Sequence, residues 1–279
     1  MLRKDPPAKF PTPIHQLPSP AFMWKFGFAS VAGTSHRKAS LPCQDASRAE
    51  IFHDQNGQEV LIAAASDGAG SAAQAQLGAM FAAEFFIAGA KGHLVNGGKL
   101  ESLTGSFIEN WIAAFQQTAM GWASENGTIQ DFACTLLAAV ISDEQACYFH
   151  LGDGAVVESL RRENDLYHCA SWPQQGEYAN TTHFLTDPDA ASKIVVELKT
   201  QVVDEIALFT DGLQNLVLDY RNQAAHSPFF APLFGRLRPQ PDGFSQEFSD
   251  SLASYLNSEK FNARTDDDKT LLLATRRVS

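Results

Sequence analysis

The chain has 279 residues, 44% hydrophobic and 19% charged, the balance of a globular protein able to bury a core. No apolar run is long enough to span a bilayer, so no membrane partner is expected. The formal charge of −11 argues against a general nucleic-acid binder, which carries a basic face, although it leaves room for a local cationic pocket.

In chain order, the proline-rich stretch Pro6 to Pro20 has little apolar periodicity and no apolar signal core. It reads as a leader, residues 1–21, ahead of a folded region at 22–279. Trp24 to Val31 is predicted as a strand, and Thr34 to Pro42 as a polar loop leading to Asp45. Glu59 to Ser66 is a short apolar run ended by Asp67-Gly68, a buried strand opening into a tight turn. The spacing of Leu77, Met80, Phe81, Phe85 and Ala88 predicts a helix with Ser71 as its N-cap, ending in the glycine-rich segment Gly89 to Gly98. Leu103, Phe107, Ile108, Trp111, Ile112, Phe115 and Ala119 predict a second amphipathic helix.

A dense run of strands comes next: Phe132 to Ile141, Ala146 to Leu151, Ala155 to Leu160 and Leu166 to Ala170. Connections this short favour antiparallel pairing, because parallel crossovers need a dozen or more residues. Strands at Ile194 to Val203 and Glu205 to Phe209 lead into Asp211-Gly212. A helical excursion follows over Pro228 to Leu237 and Phe244 to Leu256, and Lys269 to Thr275 closes the fold as a strand. Cys43, Cys134, Cys147 and Cys169 have no CxxC spacing, so reduced thiols in the cytoplasm are expected rather than disulfides or zinc.

Four aspartate-bearing segments stand out: Gln44-Asp45, Ser66-Asp67-Gly68, Thr210-Asp211-Gly212 and Asp266-Asp267-Asp268. Each abuts an apolar run or a turn. Taken singly they are ordinary turn aspartates, since Asp-Gly is a common turn dipeptide. Taken together they read as one metal site assembled by folding, because carboxylates suit hard divalent ions such as Mg²⁺ and Mn²⁺. Two carboxylates about 4 Å apart repel by roughly 4 kcal/mol at an effective dielectric near 20, so a convergent set needs protons or cations.

In order, GTSH…QD (Gly33 to Asp45), SDGAGS (Ser66 to Ser71), LGDGA (Leu151 to Ala155), FTDGL (Phe209 to Leu213) and DDKTLLL (Asp267 to Leu273) resemble the metal-dependent serine/threonine phosphatases of type 2C. The match is to the compact bacterial branch and covers roughly Phe22 to Arg276. The resemblance implies an α+β fold, a four-layer α-β-β-α sandwich with two central antiparallel sheets and the metals in a cleft at one edge. It implies two divalent ions, Mn or Mg, with Asp67 bridging them and the Gly68 carbonyl as a further ligand. Asp211 and Asp267 would hold one ion, and Asp45 would contact the other mainly through water. In some relatives a weaker third ion lies near the GD motif, for which Asp153 with Asp211 is the candidate pair here; Asp153 reads equally well as a turn residue.

The implied reaction is hydrolysis of phosphoserine or phosphothreonine by water activated between two ions about 3.5–4 Å apart, without a covalent phosphoenzyme. Where relatives carry a phosphate-holding arginine ahead of the first aspartate, this chain has Ser40, so His36 or Arg37 is the candidate for that role. Where many eukaryotic relatives carry a histidine just after the bridging aspartate, it has Ala69, and Asp268 stands where asparagine is common. The expected partner is a phosphoprotein, the target of a protein kinase; the oligomeric state is left open. Two rivals remain. Gly68-Ala69-Gly70-Ser71-Ala72-Ala73 mimics a dinucleotide fingerprint, but Asp67 beside it would repel a pyrophosphate. A catalytically silent phosphatase-like scaffold is the other, favoured by the missing arginine and disfavoured by the intact aspartates.

Overall fold

The computed structural model describes residues 23–123, 127–174 and 182–277, so the leader expected at 1–21 lies outside the described residues. Strand β1 (Lys25–Val31) leads through a short helix, α1 (Thr34–Lys38), into β2 (Asp45–His53) and β3 (Glu59–Asp67). Two long helices follow, α2 (Ala75–Val95) and α3 (Ser106–Trp122). Next come β4 (Leu136–Ile141), β5 (Gln145–Leu151), β6 (Ala155–Leu160), β7 (His168–Ser171), the single turn α4 (Ala190–Lys193), β8 (Val195–Thr200) and β9 (Val203–Phe209). Helix α5 (Asp211–Val217) and a small hairpin, β10 (Leu218–Asp219) with β11 (Ala224–Ala225), open the helical excursion. It continues through α6 (Ser227–Leu237), β12 (Gly243–Phe244), α7 (Gln246–Leu256) and α8 (Glu259–Asn262), and β13 (Lys269–Thr275) ends the fold.

The strands form two large sheets, ordered β2-β3-β4-β5-β8 and β12-β1-β13-β9-β6-β7. Side chains alternate across each strand, and the alternation decides the layers. Along β3, Leu61, Ala63 and Ala65 face inward with Leu137 and Ala139 of β4, meeting Ile206, Leu208, Leu272 and Ala274 of the other sheet. Ile62 and Ala64 face outward under α2 and α3. On the far side, Ala207, Phe209, Leu271 and Leu273 carry α5, α6, α7 and α8. Three apolar cores between four layers give the expected α-β-β-α sandwich. Pairing is antiparallel throughout both sheets except at one edge, where the two-residue β12 lies parallel to β1. Among the described residues no helix is long and apolar enough to cross a membrane.

Several elements depart from the expectation. Thr34 to Pro42 is not all loop, since Thr34–Lys38 make a helical turn. Strand β2 was not anticipated because its sequence, DASRAEIFH, is polar; it is a sheet edge whose charges pair with α2, Arg48 Nη2 with Glu84 at 2.9 Å and Glu50 with Lys91. Helix α2 starts at Ala75 rather than after Ser71, while its end at Val95 falls, as expected, within Gly89 to Gly98.

The buried face of α2 also differs. Ala75, Gly78, Ala79, Ala82, Ala83, Phe86, Ile87, Ala90 and Leu94 lie on the sheet, whereas Leu77 is 42% exposed. Small residues let the helix sit close to the strands. Phe81 and Phe85, on its flank, stack instead against α3, 5.1 Å from Phe115 and 5.5 Å from Trp111 between ring centroids. Fully burying a side chain such as Phe86 contributes about 1.5–3 kcal/mol. Enlarging the close-packed face should therefore hurt more than trimming the expected apolar one. Ala82→Leu is expected to lower unfolding free energy by about 1–3 kcal/mol, and Leu77→Ala by less than about 0.5 kcal/mol, in urea titrations.

Candidate metal centre

Five aspartates meet at one edge of the sandwich because strand ends of both sheets converge there. Asp45 opens β2 and Asp67 closes β3, and the antiparallel register sets them opposite each other. Asp211 begins α5 just after β9, and Asp267 lies just before β13, which pairs with β9 through Leu271 and Phe209. Asp153 occupies the turn between β5 and β6, next to Ala155, which also pairs with Phe209.

Carboxylate oxygens of Asp67, Asp153 and Asp211 all lie within 4.8 Å of one another. Asp45 is 5% exposed and accepts a hydrogen bond from Thr210 Oγ1 at 2.7 Å, a contact that crosses from one sheet to the other. Asp267 sits at the exposed rim, where its carboxylate accepts from the Asp268 N–H at 2.8 Å. The Gly68 N–H donates to the Gln44 carbonyl, tying Asp67 to the residue before Asp45.

Two glycines permit this convergence. A Cβ at Gly68 would lie 2.5 Å from the Ala75 carbonyl oxygen and 2.8 Å from that of Gln44, so only glycine lets the turn after Asp67 approach both. A Cβ at Gly212 would lie 1.9 Å from the Asp268 carbonyl oxygen, where the start of α5 rests on the strand carrying Asp267.

The electrostatics follow from packing like charges together out of water. Burial pushes Asp45 from an ordinary 3.8 up to about 7, in spite of the Thr210 hydrogen bond. Burial, then the neighbouring Asp153 and Asp267, push Asp211 up to about 8. Asp67 is raised well above its ordinary value, by burial first and then by Asp45 and Asp211. At the rim Asp267 is raised too, by partial desolvation and then by Asp268.

The donor set fits hard divalent cations. Asp153 gives one oxygen to Thr182 Oγ1, while its buried Oδ1 has no hydrogen-bond partner among the described residues. An unpaired buried oxygen amid other carboxylates is costly in bare protein and is what a cation would satisfy.

The loop ahead of Asp45 places its two candidate phosphate ligands differently. His36 Nδ1 lies 2.9 Å from Asp268 Oδ2, without the alignment of a hydrogen bond, and it works against the raised Asp267. Arg37 is turned to other partners, donating to the Ala32 carbonyl at 2.7 Å and to Asn257 Oδ1 at 2.6 Å.

Three supporting residues have roles that sequence reasoning missed. Asp268, 2% exposed, accepts the N–H of Gly33 at 2.6 Å and also that of Gln44, so one carboxylate holds both ends of the loop leading to Asp45. Thr210 links Asp45 to the Thr270 N–H. Thr135 Oγ1 accepts from the Asp67 N–H at 2.9 Å. Asp268 was visible only as a carboxylate beside Asp267 where asparagine is common, Thr210 only by its adjacency to Asp211, and Thr135 had no signal.

The sequence matches a family model described as Protein phosphatase 2C over residues 32–257. Serine/threonine-protein phosphatase 3 of Escherichia coli (strain K12) is 37% identical over 252 residues, which span 90% of this chain and 98% of that protein. Among solved structures, serine/threonine phosphatase Stp1 from Staphylococcus aureus shares the fold with a TM-score of 0.55 at 16% identity, over 91% of this chain and 95% of that one. PppA from Pseudomonas aeruginosa does so with a TM-score of 0.55 at 15% identity, over 91% and 97%. The motifs that converge at the sandwich edge lie mostly within the matched span, and this chain belongs to the protein phosphatase 2C family.

Proposed function

We propose that the acidic cluster is the catalytic centre of a metal-dependent phosphoprotein phosphatase that hydrolyses phosphoserine and phosphothreonine. The observation carrying this reading is the convergence of Asp67, Asp153 and Asp211 around an unpartnered Asp153 oxygen. Asp67, with the Gly68 carbonyl, would lie between two divalent ions, Mn²⁺ or Mg²⁺, with Asp211 and Asp267 on one side and Asp45 on the other. Asp153 with Asp211 is the proposed place of a weaker third ion. When bound, the ions supply Lewis acidity that acidifies water and offsets the charge of a phosphate.

The chain's own groups orient and exclude. Thr210 fixes Asp45, Thr135 fixes the backbone of Asp67, and Asp268 fixes the loop that carries His36 to the rim. His36 is the proposed phosphate contact, with Arg37 anchoring the loop behind it. Cys43 is no rival nucleophile: burial, then Asp45 and Asp268, push its thiol far above the usual range, so it stays protonated. Direct attack by water is the reading left, and the intact carboxylate set gives the silent-scaffold alternative no support. The proposed substrate is a protein phosphorylated by a kinase, and the proposed compartment is the cytoplasm.

Without ions the cluster must hold protons. Asp45, Asp67, Asp211 and Asp267 are raised above their unfolded values, so between the ordinary 3.8 and about 8 the folded chain binds protons that the unfolded chain releases. Stability is then greatest below that window and is lost as pH rises through it. In EDTA, Tm is expected to fall between about pH 5 and about pH 8, and excess Mn²⁺ should largely abolish the fall because cations replace the protons. A flat profile in EDTA would contradict the clustered charge. Hydrolysis of p-nitrophenyl phosphate in Mn²⁺ is expected to vanish in EDTA and to drop by about 10²-fold or more in Asp211→Ala; undiminished turnover in either sinks the assignment. His36→Ala is expected to lower kcat/KM about tenfold while Mn²⁺ affinity, read by calorimetry, stays constant; unchanged kinetics remove His36 from the phosphate.

A further inference from the structure

A second concave site lies on the helical layer over the β1-containing sheet, remote in composition from the acidic edge. Helices α6, α7 and α8 border a cavity of about 340 Å³, lined by Phe229, Leu233, Leu252 and Phe261, with Leu216 of α5. This volume falls within the range of small-ligand pockets, which are mostly apolar with a few placed polar groups. The rim is cationic. Arg236, Lys260 and Arg264 border the cavity and are exposed, and none has a carboxylate at ion-pair distance among the described residues.

Acidic groups outnumber basic ones by 32 to 21, and Arg48, Arg161, Arg238 and Arg276 pair with Glu84, Asp204, Glu205 and Asp143, yet the three cations that share this cavity have no such partner among the described residues. Three unpaired cations around one apolar floor therefore form a local positive field in a negative protein, complementary to an anion that carries an apolar body. An uncharged ligand would leave the rim unused, and a simple phosphate would leave the floor unused.

We propose that this pocket binds a small organic anion with an aromatic or branched aliphatic body, its acidic head held by Arg236, Lys260 and Arg264. The body displaces water from the phenylalanine and leucine floor, and the head replaces the missing carboxylate partners. The site shares no side chain with the acidic cluster, so the assignment stands apart from the proposed phosphatase reading.

The test uses the full chain in Mn²⁺ with 1-anilinonaphthalene-8-sulfonate as probe, followed by fluorescence. Saturable binding is expected, weakened about tenfold or more in the double variant R236E/R264E, whose substitutions are exposed and should leave Tm nearly unchanged. Ser251→Trp, an exposed lining position on α7, should block the probe sterically. The neutral analogue N-phenyl-1-naphthylamine should ignore the charge reversals. Affinity for the sulfonate within about twofold of wild type in both variants would overturn the proposal. So would displacement of the probe by the acidic peptide Glu-Glu-Phe-Glu-Glu at lower concentration than by free naphthalene-1-sulfonate, which would make this face a protein-docking surface instead.

Discussion

Burying carboxylates beside one another is the constraint around which the rest of the molecule is arranged. Asp45, Asp67 and Asp211 are drawn out of water at one edge beside Asp153, and burial, then the field of neighbouring carboxylates, resists the ionisation of those three. Such repulsion would splay the strand ends if only local contacts held them. What opposes it is distributed: three apolar cores, one between the sheets and one under each helical layer, fix the strands whose ends bear the charges. The edge is thus strained electrostatically by design of the topology, and the interior supplies the cohesion that keeps it assembled.

Second contacts decide which oxygens face the cluster. Backbone N–H groups and hydroxyls satisfy outer oxygens without adding positive charge: Thr210 on Asp45, Thr182 on Asp153, the Gly33 and Gln44 amides on Asp268. A lysine or arginine in these places would neutralise the carboxylates and weaken their claim on a cation. Neutral donors orient them and leave the charge intact, the same logic by which outer partners of metal ligands raise ligand basicity. Asp268 is an extra carboxylate behind the site, satisfied by two amides, with His36 Nδ1 2.9 Å away.

The legible parts of the sequence were those where one period dominates. Glu59 to Asp67 and Lys269 to Thr275 are continuous apolar runs because they are buried on both faces, and their boundaries held to within a residue. Asp67-Gly68 and Asp211-Gly212 were visible because strand ends in this fold need a turn and a close approach at the same place. Strand β2 was illegible because an edge strand that pairs its charges with a helix has no apolar alternation to read. The face of α2 misled because contact with a sheet selected alanine and glycine there, while its larger side chains went to α3. Thr135 could not be found at all, since an interstrand partner of the Asp67 amide is defined only once β3 and β4 are paired.

Charge distribution links the two concave regions. At the acidic edge Arg37 is held by Ala32 and Asn257, so on the proposed reading the positive charge that meets the substrate comes chiefly from bound ions. Across the helical layer the reverse holds, with Arg236, Lys260 and Arg264 lacking carboxylate partners among the described residues of a chain of net charge −11. Folding gathers uncompensated negative charge at strand ends, where inorganic cations fit, and sets three unpaired cations around one apolar floor, where an organic anion answers both the rim and the lining.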